Sequence, residues 1–133
     1  MLGLIPLLII PFLIYNLGLA GVFGAADAPF SGSVFSMHMM SGGVFTMTVS
    51  DLIMVIALLL LFFEILKATR TNNSSVIDHL LSTFVFVAYL VEFLLVQGAS
   101  TSLFFLLMVI ALVDVLAGFS VSLRAAGRDV TFG

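Results

Sequence analysis

Two carboxylic acids in this sequence stand where a carboxylic acid is costly to keep. Glu92, in Tyr89-Leu90-Val91-Glu92-Phe93, and Asp114, in Leu112-Val113-Asp114-Val115, interrupt runs that are otherwise apolar. An ionisable group in such a run either carries a proton or a cation, or is held by hydrogen bonds that tie helices together. Glu92 has neutralising neighbours: Tyr89 one turn away on the same helix, and Asn16 at similar depth in the first apolar run. Asp114 lies near mid-depth, at about 18 Å along its run, and the sequence supplies no cation at that depth. It therefore needs a proton, a water-filled space, or a group on another subunit or protein. The offset in depth between Glu92 and Asp114 argues against a proton shared directly within one protomer. For both residues helix locking is the simpler expectation, and an ion pathway through Glu92, Asp114, Asn16 and Tyr89 the sharper one.

Other residues offer less. Glu64 precedes Lys67 by three positions, an ordinary helical ion pair, and both side chains are expected to reach the interface. His79 beside Asp78 could form a proton antenna, though a polar helix start accounts for the pair. Met37, His38, Met39 and Met40, with Met47 beyond, combine thioethers and an imidazole, donors that suit Cu(I). In an extended strand, however, His38 points away from Met37, Met39 and Met47, and Met commonly fills apolar contacts, so no metal is expected. His38 and His79 fall on opposite sides of the predicted membrane, so one protomer cannot hold one haem through both. Gly18, Gly21 and Gly24 recur every third residue, and Ala20 and Gly24 have the small-xxx-small spacing of close helix packing. There is no nucleotide loop, HExxH or serine elbow. With no cysteine in the chain, disulfides, thiolate zinc sites, iron–sulfur clusters and cysteine nucleophiles are excluded. The expectation is a protein without cofactor or enzyme activity.

The elements that must position these groups follow from composition. Of 133 residues, 62% are hydrophobic and 8% charged, and the mean hydropathy is +1.35. A soluble domain carries about a quarter charged residues. A chain of 14.2 kDa cannot hide this much apolar surface from water, so the bilayer is predicted to be its solvent. A net charge of −3 provides no basic patch for nucleic acid. Four apolar runs predict a bundle of four transmembrane helices, at residues 2–23, 51–66, 76–96 and 102–123. Between them lie an extracytoplasmic loop (24–50), a cytoplasmic loop (67–75) and, at the end, a cytoplasmic tail (124–133). Lys67, Arg70, Arg124 and Arg128 all fall on one side of this arrangement, which places both termini in the cytoplasm by the positive-inside rule. Pro6 and Pro11 are expected to bend the first helix. Gly24-Ala25-Ala26 and Ala26-Asp27-Ala28 resemble signal cleavage sites, but no cation precedes the apolar run, and a retained helix is expected. Thr48 with Asp51, and Ser75 with Asp78, fit the capping-box pattern. Ser100, Thr101 and Ser102 are cap candidates for the fourth span, and Gln97-Gly98 marks a glycine C-cap of the third.

The loop between the first two spans carries its own pattern. Period-two alternation over Ser33–Met40 and Val44–Val49, on either side of Ser41-Gly42-Gly43, predicts a β-hairpin. Keeping Phe35, Met37 and Met39 on one face with Phe45, Met47 and Val49 requires an odd loop. A three-residue Ser41–Gly43 loop, with Gly43 left-handed, pairs Met39 with Phe45, Met37 with Met47 and His38 with Thr46. The apolar face is expected to rest on the helices or on the outer lipid surface.

Taken together, the residues predict an all-α protein of the inner (plasma) membrane with a short extracytoplasmic hairpin. It would act as a non-enzymatic accessory or structural subunit, or as a self-associating interaction protein. Its partners would be the lipid bilayer and other membrane subunits or copies of itself. A proton or cation conduit using Glu92 and Asp114 is the alternative.

Overall fold

The computed structural model describes residues 5–22, 29–68 and 74–132, the side chains of residues 74, 75, 122 and 124–132 excepted. The first helix is shorter than its apolar run. It spans Ile9–Leu19 (α1, 11 residues), about 16 Å. The Pro6 carbonyl accepts the Ile9 N–H at 3.2 Å, so a turn precedes the helix. Pro11 falls in the first helical turn, where its missing N–H leaves no intrahelical bond unmade. The two prolines therefore mark a helix start and do not bend a long helix. At the other end Gly21 takes φ +94°, closing the helix with a backbone that glycine tolerates.

The hairpin forms, with its frame moved by one residue. Strands Ser33–His38 (β1) and Val44–Thr48 (β2) pair antiparallel. Phe35 faces Met47, Ser36 faces Thr46, Met37 faces Phe45 and His38 faces Val44. This corrects the expected partners by two positions, and the strands are shorter than expected; Phe35 and Met37 still share a face with Phe45 and Met47, but an irregularity between Ser33 and Phe35 sets Ser33 opposite Thr48. The loop still has three residues, but they are Met40, Ser41 and Gly42. The Gly42 N–H donates to the Met39 carbonyl at 3.0 Å and the Met39 N–H to the Gly43 carbonyl at 2.7 Å. Gly42, at φ +91°, is the left-handed residue. Two adjacent glycines make both frames sterically open. In the observed one the Ser36 and Thr46 hydroxyls meet at 3.0 Å, and the Phe35 and Phe45 rings meet edge-on with centroids 5.9 Å apart. The apolar face meets the helices only at its base: Met47 and Val49 are half-buried, whereas Phe35, Met37, Met39 and Phe45 are exposed.

The chain passes from β2 into helix Val49–Ala68 (α2) with no linker. The predicted capping box forms there. The Thr48 N–H donates to Asp51 Oδ2 at 3.1 Å and the Asp51 N–H to Thr48 Oγ1 at 3.2 Å. Helix Ser74–Leu95 (α3) begins too early for Asp78 to complete a capping box. It ends without a left-handed glycine, in a 3₁₀ turn over Gln97–Ala99. Helix Ser102–Phe132 (α4) starts on Thr101, whose Oγ1 accepts the Phe104 N–H at 3.2 Å. It continues through the stretch expected to be a tail.

Three segments, Val49–Ala68, Val76–Leu95 and Ser102–Val121, are long and apolar enough to cross a membrane, and α1 is not. α4 packs against both α2 and α3. Together with the residues ahead of it, α1 nonetheless makes polar contacts at both ends of the bundle. The Ile5 carbonyl meets Lys67 at the end of α2, and the Tyr15 hydroxyl meets the turn before α4. Buried apolar groups at the centre include Leu8, Tyr15, Ile53, Tyr89, Phe104 and Leu107. Large apolar side chains such as Leu59, Phe62, Phe84, Leu94, Leu116 and Phe119 point outward.

Candidate functional site

Two polar groupings lie inside this apolar shell, one toward each end. One gathers around Lys67. Its side chain is only 11% exposed and turns inward, in contrast to the expected reach to the interface. Lys67 Nζ donates to the Ile5 carbonyl at 2.8 Å and to Glu64 Oε1 at 3.0 Å, and lies 3.3 Å from Asp78 Oδ1. The first two are hydrogen bonds and the third an ion pair, within the three N–H donors of an ammonium.

Glu64, 1% exposed, is the hub of the grouping. Its Oε1 also accepts the Leu7 backbone N–H at 2.8 Å, and its Oε2 lies 3.5 Å from Ser82 Oγ. The Leu7 bond sits just ahead of α1, where free N–H groups and the helix dipole favour an anion. Asp114 hydrogen-bonds with both Glu64 and Ser82. The expectation that Asp114 stands alone at its depth is thus corrected. Glu64 on α2, Ser82 on α3 and Asp114 on α4 share one level, with a cation one turn away. Asp78, expected as a helix-start acid, is 5% exposed and faces Lys67. The His79 ring, next to Asp78 in the chain, packs over Phe119, with centroids 6.1 Å apart. A Cβ added at Gly118 would lie 2.8 Å from His79 Nδ1, so this glycine permits close contact between α3 and α4.

The second grouping brings Asn16 and Glu92 together by a side-chain hydrogen bond, the pairing expected from their depth. Asn16 Nδ2 also donates to the Phe12 carbonyl at 2.9 Å. Tyr89, buried one turn from Glu92, donates instead to the Leu8 carbonyl at 2.8 Å. Glu92 Oε2 is buried and has no hydrogen-bond partner among the described residues. It sits on the wall of an apolar groove of about 510 Å³ that also includes Phe12, Val87, Ala88 and Val91. Nearer the outer end, the Tyr15 hydroxyl donates to the Gly98 carbonyl at 2.8 Å and meets Thr101 Oγ1 at 2.7 Å. These last contacts had no sequence signal beyond Thr101 as a cap.

Tyr89 on α3 and Leu107, Ile110 and Ala111 on α4, the turns that lead from Phe104 toward Asp114, are buried. The Phe12 ring meets Tyr89 edge-on at 5.1 Å, and Phe104 lies 5.3 Å from Tyr89. Of the residues expected to pack helices, Gly18 is buried. Ala20 and Gly21 are exposed, and a Cβ at Gly21 would meet nothing. Gly24 lies outside the described residues. The close approaches are instead at Gly118 and at Gly98, where a Cβ would lie 3.0 Å from a Leu19 methyl. For the copper reading, Met37 and Met47 are not cross-strand partners, since each faces a phenylalanine. Among the described residues no group of three His, Asp or Glu side chains could hold a metal ion.

Comparison with protein-family models, with curated proteins and with solved structures returns no match for this chain.

Proposed function

We propose that this chain is an integral protein of the inner membrane, without enzyme activity, serving as an accessory or structural subunit or associating with copies of itself. The membrane reading is supported by the inverted distribution of polarity. Glu64, Asp78, Ser82 and Asp114 are buried while phenylalanines and leucines face outward, which suits hydrocarbon and is costly in water. In this reading α1 crosses as a short helix with an irregular entry. Such backbone is tolerated at membrane depth where protein covers it, and here Glu64, Lys67 and Tyr89 do so. Four crossings return the two described ends to the same side, and the cations argue that this side is cytoplasmic.

The observation that carries the subunit reading is Glu92 Oε2. A buried carboxyl oxygen without a partner is expensive, and this one sits on an apolar groove between α1 and α3. A helix bearing a polar donor would fill the groove and satisfy the oxygen. The burial of Tyr89, Leu107 and Ile110 supports this reading over the alternative, a conduit running through Glu92 and Asp114.

The test is purification in mild detergent, with mass measured for the wild type and for Ala88→Trp, which fills the groove. The expected result is a species heavier than one chain that Ala88→Trp dissociates. A lone chain in both cases would sink the proposal.

A further inference from the structure

The hairpin is bound to the helices at its roots and bare above them. Phe30, just ahead of β1, stacks its ring on Tyr15 of α1 with centroids 4.5 Å apart. The Val49 and Ser50 N–H groups, in the first turn of α2, donate to the Gly32 and Phe30 carbonyls at 2.9 and 3.0 Å. The Thr48–Asp51 box closes the passage from β2 into α2. With both roots tied and no linker between β2 and α2, the strands are held beside the start of α2. Above the roots, every residue from Ser33 to Thr46 is exposed.

The exposed part is two-faced and uncharged. Phe35 and Met37 share one face with Phe45 and Met47, and Ser36, His38, Val44 and Thr46 share the other. No Asp, Glu, Lys or Arg occurs from Pro29 to Ser50, so the segment offers no fixed charge for a partner to match. Along the chain the exposed apolar surface continues past the start of α2, through Leu52, Val55, Leu58 and Leu59, the surface assigned above to lipid. A lone two-stranded hairpin is marginal in water. Whatever covers Phe35, Met37 and Phe45 therefore stabilises the hairpin by removing apolar area from water.

We propose that the hairpin is a lipid-binding anchor, whose face of Phe35, Met37 and Phe45 lies on the bilayer surface at the end where α2 begins. The tie to α2 keeps this face within reach of that surface at all times. An element with one apolar and one polar face suits the boundary between headgroups and acyl chains. The backbone limits the depth. A two-stranded sheet has two open edges, and hydrocarbon does not tolerate open edges, so the rings enter the boundary while the edges stay wet. Because the attraction is apolar, it does not depend on headgroup charge. A second copy, paired through those edges, is the competing occupant. The inference rests on the membrane reading above and is independent of any partner at the Glu92 groove.

The chain has no Trp, so a single introduced Trp reports its own depth by fluorescence. The full chain is reconstituted in phosphatidylcholine vesicles with bromine at shallow or at deep acyl positions. Leu59→Trp, at an exposed site about 15 Å along α2, tests the membrane reading and should be quenched by deep bromine. Phe45→Trp and Met37→Trp should lose most of their emission to shallow bromine and little to deep bromine. Val44→Trp, on the opposite face, should respond instead to iodide in the water. Phosphatidylglycerol in place of phosphatidylcholine should leave this pattern unchanged. Leu59→Trp untouched by bromine removes the membrane reading and the anchor with it. If Leu59→Trp is quenched while Phe45→Trp and Met37→Trp respond to iodide, the anchor alone is overturned. It is also overturned if those two respond to neither quencher, since the face is then covered by protein, a second copy included.

Discussion

Lys67 shows how one side chain reorganises the reading of several others. From the sequence, Glu64 and Lys67 form a surface pair of modest worth. In the structure the ammonium turns inward and holds Glu64, Asp78 and the Ile5 carbonyl. Removing one partner of such a buried set leaves charge without compensation. Lys67→Met should therefore cost about 3 kcal/mol, read as thermal stability in detergent, with part of the loss recovered by adding Glu64→Gln. A surface pair would give nearly no change. At the opposite end, Tyr15→Phe removes contacts to Gly98 and Thr101 and should cost about 1–2 kcal/mol. The Asn16–Glu92 pairing was legible because both residues lie at similar depths in their runs. The Glu64–Asp114 pairing was also within reach of depth arithmetic. Glu64 lies about 22 Å along α2 and Asp114 about 18 Å along α4, measured from the same end. It was missed because Lys67 was assigned to the interface and took Glu64 with it.

At the scale of elements, alternation and capping were read more securely than frame and length. Thr48 and Asp51 cap α2 reciprocally as their spacing requires, and Thr48→Ala should cost about 1 kcal/mol, measurable as lost stability. The hairpin exists, and Phe35 and Met37 share a face with Phe45 and Met47 as expected, because parity is fixed by keeping apolar residues together. Its frame is not fixed by parity, since Gly42 and Gly43 can each take the left-handed position. Substitution separates the two frames. Gly42→Ala, at φ +91°, should strain the turn by about 1–2 kcal/mol and weaken cross-strand NMR contacts between Ser36 and Thr46. Gly43→Ala should leave them intact, its nearest neighbour being Ser41 Oγ at 3.6 Å. The opposite order of sensitivity would restore the expected frame. α1 was overestimated in length because hydropathy counts apolar residues, whereas a helix also needs its backbone bonds, and Pro6 and Pro11 delay the first of them.

For the whole molecule, the proposals lead to measurements that do not depend on any one side chain. Carbonate washing should leave the protein in the membrane pellet, because its outward Phe and Leu surface has no aqueous alternative. Reporter fusions at residue 72 should read as cytoplasmic, together with both ends. Reconstituted vesicles should show no dye-reported proton flux attributable to this chain, and Glu92→Gln and Asp114→Asn should leave the trace unchanged. A flux abolished by Asp114→Asn would reinstate the conduit. What composition could reveal at this scale was an apolar chain and most of its long apolar helices. Which helix faces meet is set by rotation about each axis, and a chain apolar all round carries little record of it.

α1 also has a history in time. The polar bonds that seat it reach 57 to 86 positions along the chain, to Glu64, Lys67, Tyr89, Gly98 and Thr101. None of those residues exists when α1 leaves the ribosome. At about 5–20 residues per second, the segment waits on the order of ten seconds before its last partner is synthesised. Its phenol and its unpaired backbone N–H groups must be sheltered in the meantime by whatever holds nascent chains. Nascent chains stalled before residue 98 should therefore crosslink through Tyr15 to that machinery, and chains stalled after α4 should not.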